Sequence, residues 1–451
     1  MNSISLATAG RGFLLIPLTF ALASLALSPA ARADCREGCA YPGNTFLGDS
    51  ALFYNTNGIA NTAIGAFTLV NNINGSYNTA TGDAALFSNT IGSANTANGY
   101  IALFYNTASA NTATGHSALF SNTTGGFNTA NGKSALYSNT TGGYNTANGN
   151  AALYSNTIGS GNTANGNGAL YNNDADYNTA NGASALYSNT TGLYNTANGA
   201  VALYGNTIGN NNTANGNAAL HNNTTGNLNT ASGVNALYYN TAGNNNTANG
   251  ISALLNNTGS NNIGLGFYAG KNLTTGSGNI CIGAAVFGVA GENNTTRIRN
   301  VYGSVASGRA VYVNSDHKIG TLVSTRRVKE NIKAMDKLSD TIFALRPVSF
   351  RYKQEIDASG SPQFGLIAEE VANVNADLVT RDSEGKPETV RYEAVNAMLL
   401  NEFLKEHATV QEFKTTIAHQ QKQIEALTAG LQKVSDQLEM SKPAPQTVKN
   451  D

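Results

Sequence analysis

The chain has no tryptophan and little charge: Asp, Glu, Lys and Arg together make up 12% of its 451 residues. A globular domain carries roughly 25%, so something in this chain excludes charge. The net charge of −1 removes the electrostatic basis for binding nucleic acid or an anionic membrane surface. Cysteine is scarce as well, with only Cys35, Cys39 and Cys281. That count excludes a disulfide-dense scaffold and a Cys-based metal centre, and no metal or cofactor is expected. Long apolar runs are missing after the first 33 residues, so no membrane span is expected.

Those first residues read as an export signal. Arg11 precedes the apolar run from Phe13 to Leu27, and Ala31-Arg32-Ala33 supplies small residues at the cleavage positions. The mature chain would then begin at Asp34, exported to the cell surface or the medium through the periplasm. Export permits a disulfide between Cys35 and Cys39, four apart at the new terminus. Cys281 is left without a partner, and burial is its expected state.

A repeat dominates what remains. Fifteen index asparagines, from Asn44 to Asn279, follow one another at 17 residues with three intervals of 16. A representative unit, Asn128 to Tyr144, reads Asn-Thr-Ala-Asn-Gly-x-x-Ala-Leu-Tyr-Ser-Asn-Thr-Thr-Gly-x-x. Leucine stands eight positions after the index in thirteen successive units, from Leu52 to Leu254. A unit this short cannot close a core alone, so units must stack and share one. Two glycine-containing turns per unit and abundant Thr and Tyr favour short strands. Stacking aligns identical residues in ladders, Leu on Leu and Asn on Asn. A charge repeated down a column would face its like at roughly 4.8 Å, which accounts for its rarity. Between residues 44 and 291 the charged residues are Asp49, Asp83, Lys133, Asp174, Asp176 and Lys271.

The expected fold class is therefore mainly β: a repetitive β-solenoid or trimeric β-fibre, then a small α+β domain and a C-terminal coiled-coil helix. By residue, the signal covers 1–33, a mature N-terminal segment 34–43, the repeat fibre 44–291 and a connecting β segment 292–323. A charged domain follows over 324–398, a coiled coil over 399–440 and a disordered tail over 441–451. The coil rests on a heptad with Phe403, Val410, Ile417, Ile424, Leu431 and Leu438 at one seam position. Leu399, Glu406, Phe413, Gln420, Leu427 and Val434 occupy the other. The same pattern also suits one amphipathic helix packed on its own domain.

Within the charged domain, Ser324-Thr325-Arg326-Arg327-Val328-Lys329-Glu330-Asn331 puts a hydroxyl five residues before an amine. A serine needs a base to become a nucleophile, and a lysine made neutral by burial can serve. Attack by Ser324 on the carbonyl of Val323 would cut the chain at its own fibre boundary.

The stretch from Ser324 to about Glu406 resembles the intramolecular chaperone auto-processing domain that ends phage endosialidases and other tail spikes. The resemblance rests on Ser324 to Ile332, Leu345-Arg346-Pro347-Val348-Ser349-Phe350-Arg351-Tyr352, Gly365-Leu366-Ile367-Ala368-Glu369-Glu370-Val371 and Val390-Arg391-Tyr392. It implies a homotrimer that assembles the preceding fibre and then cleaves ahead of the serine. Carried over, Ser324 is the nucleophile, Lys329 the general base, and Val323–Ser324 the scissile bond. Cleaving relatives often have Asp after the serine where this chain has Thr325, so an uncleaved chaperone on a structural stalk or adhesin stays open. Surface glycans are the other candidate partner. A polysaccharide-degrading spike is disfavoured because the repeats offer so few carboxylates; Asp174 and Asp176 read as a solvated turn.

Overall fold

The computed structural model describes residues 36–40 (backbone only), 43–301, 311–314, 317–321 and 323–441. The signal segment, Cys35 and the tail beyond Ser441 lie outside these, and so does part of the connecting segment. Of Cys39 only the backbone is described, in β1. The chain divides into two units, up to Ser304 and from Val305 onward.

In the first unit, β1 (Arg36–Ala40) pairs antiparallel with β2 (Asn44–Gly48). From β2 on, each repeat adds one three-residue strand, from β3 (Thr62–Ile64) to β16 (Ile280–Ile282), paired parallel and in register with the next. Thr179 thus faces Thr163 and Thr196, and Ala180 faces Ala164 and Ala197. One chain closes every rung, which settles in favour of a solenoid an alternative the sequence left open. The sheet continues to β17 (Thr296–Ile298), inside the segment read from sequence as connecting.

Within each Thr-Ala-Asn strand the Ala points inward and the flanking side chains outward, the period-two consequence of an extended backbone. The core is a column of alanines and leucines, with Leu69 to Leu254 wholly buried. These leucines adopt φ between +50° and +53°, the left-handed region. That conformation costs a non-glycine residue about 1–2 kcal/mol. Burying a leucine side chain contributes about 1.5–3 kcal/mol, so the core holds each leucine in a backbone state it would otherwise avoid. Gly132, with φ +142°, shows what the next turn demands: a Cβ there would lie 2.4 Å from the carbonyl oxygen of Gly149.

Two buried asparagine ladders flank the apolar column. Asn145 donates from Nδ2 to Gly159 O at 2.8 Å, and its Oδ1 accepts the backbone N–H of Asn162 at 3.0 Å. Asn139 donates to Gly142 O at 2.9 Å and to Asn122 Oδ1 of the rung before at 2.6 Å. Each index Asn thereby satisfies a turn carbonyl and an amide that no strand reaches. The expected Asn and Leu ladders are both present, and Cys281 is buried and free. Outside the core, rings stack in an unbroken column from Phe87 to Tyr238, with His221 between Tyr204 and Tyr238 at 5.3 and 4.9 Å.

Asp174 and Asp176 do more than face solvent. Their unit is one residue short, and Asp174 accepts from Thr157 N at 2.8 Å, Thr157 Oγ1 at 2.7 Å and Ile158 N at 2.9 Å. Asp176 accepts from Ser160 N at 2.7 Å. The two carboxylates supply acceptors at this shortened turn.

The second unit is small. Its described elements include three antiparallel strand pairs, β18 (Tyr312–Val313) with β19 (Ile319–Gly320), β20 (Val348–Phe350) with β21 (Gln363–Gly365) and β22 (Val379–Arg381) with β23 (Pro387–Val390). Helix α1 (Ala368–Val374) and the 49-residue helix α2 (Tyr392–Met440) complete it with short three-ten turns. The core is Val371, Leu378, Val379, Val390 and Val395, with Leu345, Leu366 and Met398 against it. The heptad residues fall on α2, and its apolar seam side chains from Leu399 to Leu438 are 40–71% exposed.

Candidate functional site

A three-ten turn over Arg326–Val328 follows Ser324. Val328 N donates to Thr325 O at 3.1 Å and Lys329 N to Arg326 O at 3.2 Å, so the chain doubles back within five residues. That turn brings Lys329 Nζ to 2.9 Å from Ser324 Oγ. Val323, Ser324 and Lys329 are all exposed in the single chain. The distance suits proton transfer between hydroxyl and amine. The burial that would keep a lysine neutral is not supplied by this chain alone.

The other motif segments meet one another in the core of the unit. Leu366 N donates to Tyr392 Oη at 3.0 Å, and a Cβ on Gly365 would stand 2.7 Å from that same oxygen. A side chain at this position would have to displace the Tyr392 hydroxyl from that hydrogen bond. Arg391 N donates to Leu378 O at 2.8 Å and its guanidinium to Asp377 O at 3.0 Å. Glu370 pairs with Arg346, whose Nε lies 3.1 Å from Oε2. This ion pair joins the Gly-Leu-Ile-Ala-Glu-Glu motif to the Leu-Arg-Pro motif. The Arg346 hydrogen bond holds the Glu370 carboxyl below the usual carboxylate range.

One cluster had no sequence signal. Ser339, wholly buried, accepts from Asn401 Nδ2 at 2.7 Å and Lys405 Nζ at 3.3 Å, and it also hydrogen-bonds to Glu402. Lys405 is also paired with Asp340 at 2.8 Å. These contacts tie the three-ten helix Asp336–Ala344 to the base of α2 across more than sixty residues of sequence. Spacing cannot reveal a contact that only the tertiary fold creates.

Among the described residues no group of three or more His, Cys, Asp or Glu side chains could hold a metal ion, and no helix is long and apolar enough to cross a membrane. No curated protein and no solved structure matches the chain. Residues 324–380, which follow the repeat solenoid, match the model of the family described as chaperone of endosialidase.

Proposed function

We propose that the chain is an exported, cell-surface or extracellular homotrimeric fibre whose C-terminal domain aligns three copies and then cuts itself free before Ser324. The family match supports self-association into trimers and a fibre displayed outside the cell. The small core of the second unit and the exposed apolar seam of α2 support it independently. A core of five buried residues stabilises little alone, and a heptad seam is covered when helices supercoil.

The observation that carries the cleavage reading is the 2.9 Å contact between Lys329 Nζ and Ser324 Oγ. With Lys329 neutral, its amine takes the hydroxyl proton as Oγ adds to the Val323 carbonyl carbon. The Val323–Ser324 amide bond then breaks, the Ser324 nitrogen takes up a proton, and the Val323 acyl group passes to Oγ as an ester. Water hydrolyses that ester, leaving a Val323 carboxylate and restoring the hydroxyl. Because both groups are exposed in one chain, a neighbouring chain must exclude water from the lysine, which makes cutting wait for assembly. Removing the assembly domain afterwards leaves a fibre that unfolds only over a high barrier.

Denaturing electrophoresis of freshly expressed protein tests this. Fragments 34–323 and 324–451 should appear in wild type and be absent in Ser324→Ala and Lys329→Ala. An intact wild-type band in a sample that sediments as a trimer rejects cleavage. The same exposure that delays cutting favours a second reading, an uncleaved chaperone on a structural stalk or adhesin, and that result would establish it.

A further inference from the structure

The first three full rungs leave a groove of about 720 Å³ lined by Tyr54, Thr56, Asn71, Ile73, Ser88 and Thr90. These are the tenth and twelfth positions after Asn44, Asn61 and Asn78, so the groove follows the stacking axis. Its walls are pinned from rung to rung: Tyr54 N donates to Val70 O at 3.0 Å and Ser88 N to Phe104 O at 2.9 Å. The Tyr54 ring is 57% exposed and Ile73 is 42% exposed. Thr56 spends its hydroxyl on Ile73 O at 3.0 Å. Among the described residues, the Asn71 amide and the Ser88 and Thr90 hydroxyls have no protein partner. No charged residue lines the groove.

We propose that this groove binds a neutral, extended polysaccharide running along the solenoid axis. An exposed tyrosine ring offers a flat apolar face to the C–H side of a sugar ring. An amide and two hydroxyls, each able to donate and accept, match the vicinal hydroxyls of a pyranose. Without a cation the groove has no charge with which to favour an anionic glycan over a neutral one, and it lacks the carboxylate pair of most glycoside hydrolases. Three rungs span about 10 Å, room for a disaccharide repeat of a continuing chain. Binding would give the proposed displayed fibre an adhesive role, and the biological use of the groove rests on that reading; binding itself is read separately from trimer formation and cleavage.

The test uses full-length Ser324→Ala chain, so that cutting does not enter. Affinity electrophoresis is run through gels containing hydroxyethyl cellulose, galactomannan or mixed-linkage β-glucan, with polygalacturonate as the anionic comparison. At least one neutral polymer should retard the protein. Tyr54→Ala and Asn71→Ala should each weaken that retardation at least tenfold, with unchanged circular dichroism. Tyr144→Ala, which removes an exposed ring outside the groove, should leave it intact. Absence of retardation by all three neutral polymers overturns the proposal, as does retention undiminished in Tyr54→Ala or binding to polygalacturonate alone.

Discussion

Asn145 and Asn148 lie three residues apart in one rung, one facing in and the other out, so they isolate what the interior ladder is worth. Truncating Asn145 to Ala removes the donor to Gly159 O at 2.8 Å and the acceptor of Asn162 N at 3.0 Å. Gly159 O keeps a second donor, Asn156 Nδ2 at 2.9 Å, so the group left orphaned is the Asn162 N–H, a backbone donor in an enclosed column. A buried polar group left unsatisfied costs about 1–3 kcal/mol. That is a large fraction of the stability of an ordinary domain, about 5–15 kcal/mol. Asn148 also belongs to a ladder, donating to Asn165 Oδ1 at 2.8 Å, but on the half-exposed outer face. Water can replace that bond, so Asn148→Ala should stay within about 1 kcal/mol of wild type. Urea unfolding followed by far-ultraviolet circular dichroism, with hydrogen exchange at the Asn162 amide, measures both. If the two variants unfold at the same urea midpoint, the inner asparagines are not what satisfies the turns, and the reasoning fails.

Glycine substitutions should diverge by position. Gly132→Ala puts a Cβ 2.4 Å from Gly149 O at φ +142°, whereas Gly430 on α2 has open space around it. Gly132→Ala should lower the unfolding midpoint sharply, and Gly430→Ala should raise helix stability by about 1 kcal/mol. Acid should act on the last rungs through Glu292. Burial opposes its ionisation, but hydrogen bonds from Arg297 and Val289 N, together with the Arg297 charge, hold its carboxyl below the ordinary value. A depressed carboxyl contributes stability above its unfolded pKa of about 4.3 that is lost as pH falls through the folded value. Thermal melts from pH 6 to pH 3 should therefore show Glu292→Gln losing less stability than wild type, with equal losses as the contrary result. Burial, followed by the Glu292 charge, pushes the Cys281 thiol up. A thiol reagent at neutral pH should then label it only in urea; rapid native labelling would contradict its enclosure.

The repeat was legible because stacking forces residues of one type into one column. Thirteen leucines at a fixed offset therefore announce a shared core, and Asn-Thr-Ala announces a strand with its middle residue inside. The backbone state of those leucines was not legible, since nothing local recommends leucine for positive φ; only the completed core imposes it. Asp174 misled for a related reason. Its role depends on a turn one residue short and on amides of the previous rung, so a solvated turn was the natural reading of its local sequence. In the second unit, a serine five residues before a lysine is too common a spacing to say much; the resemblance singled out Ser324 and Lys329, and the three-ten turn brings them into contact. Arg346 with Glu370, and Ser339 with Asn401 and Lys405, join residues too distant for any periodicity to connect.

Sedimentation equilibrium of the purified, uncleavable Ser324→Ala chain bears most directly on the central claim, that the C-terminal domain gathers three chains through the exposed seam of α2. The account predicts three chain masses, falling to one when Ile417→Lys and Leu427→Lys place charges in that seam. A single chain mass before any substitution, or a trimer that survives both lysines, would contradict it.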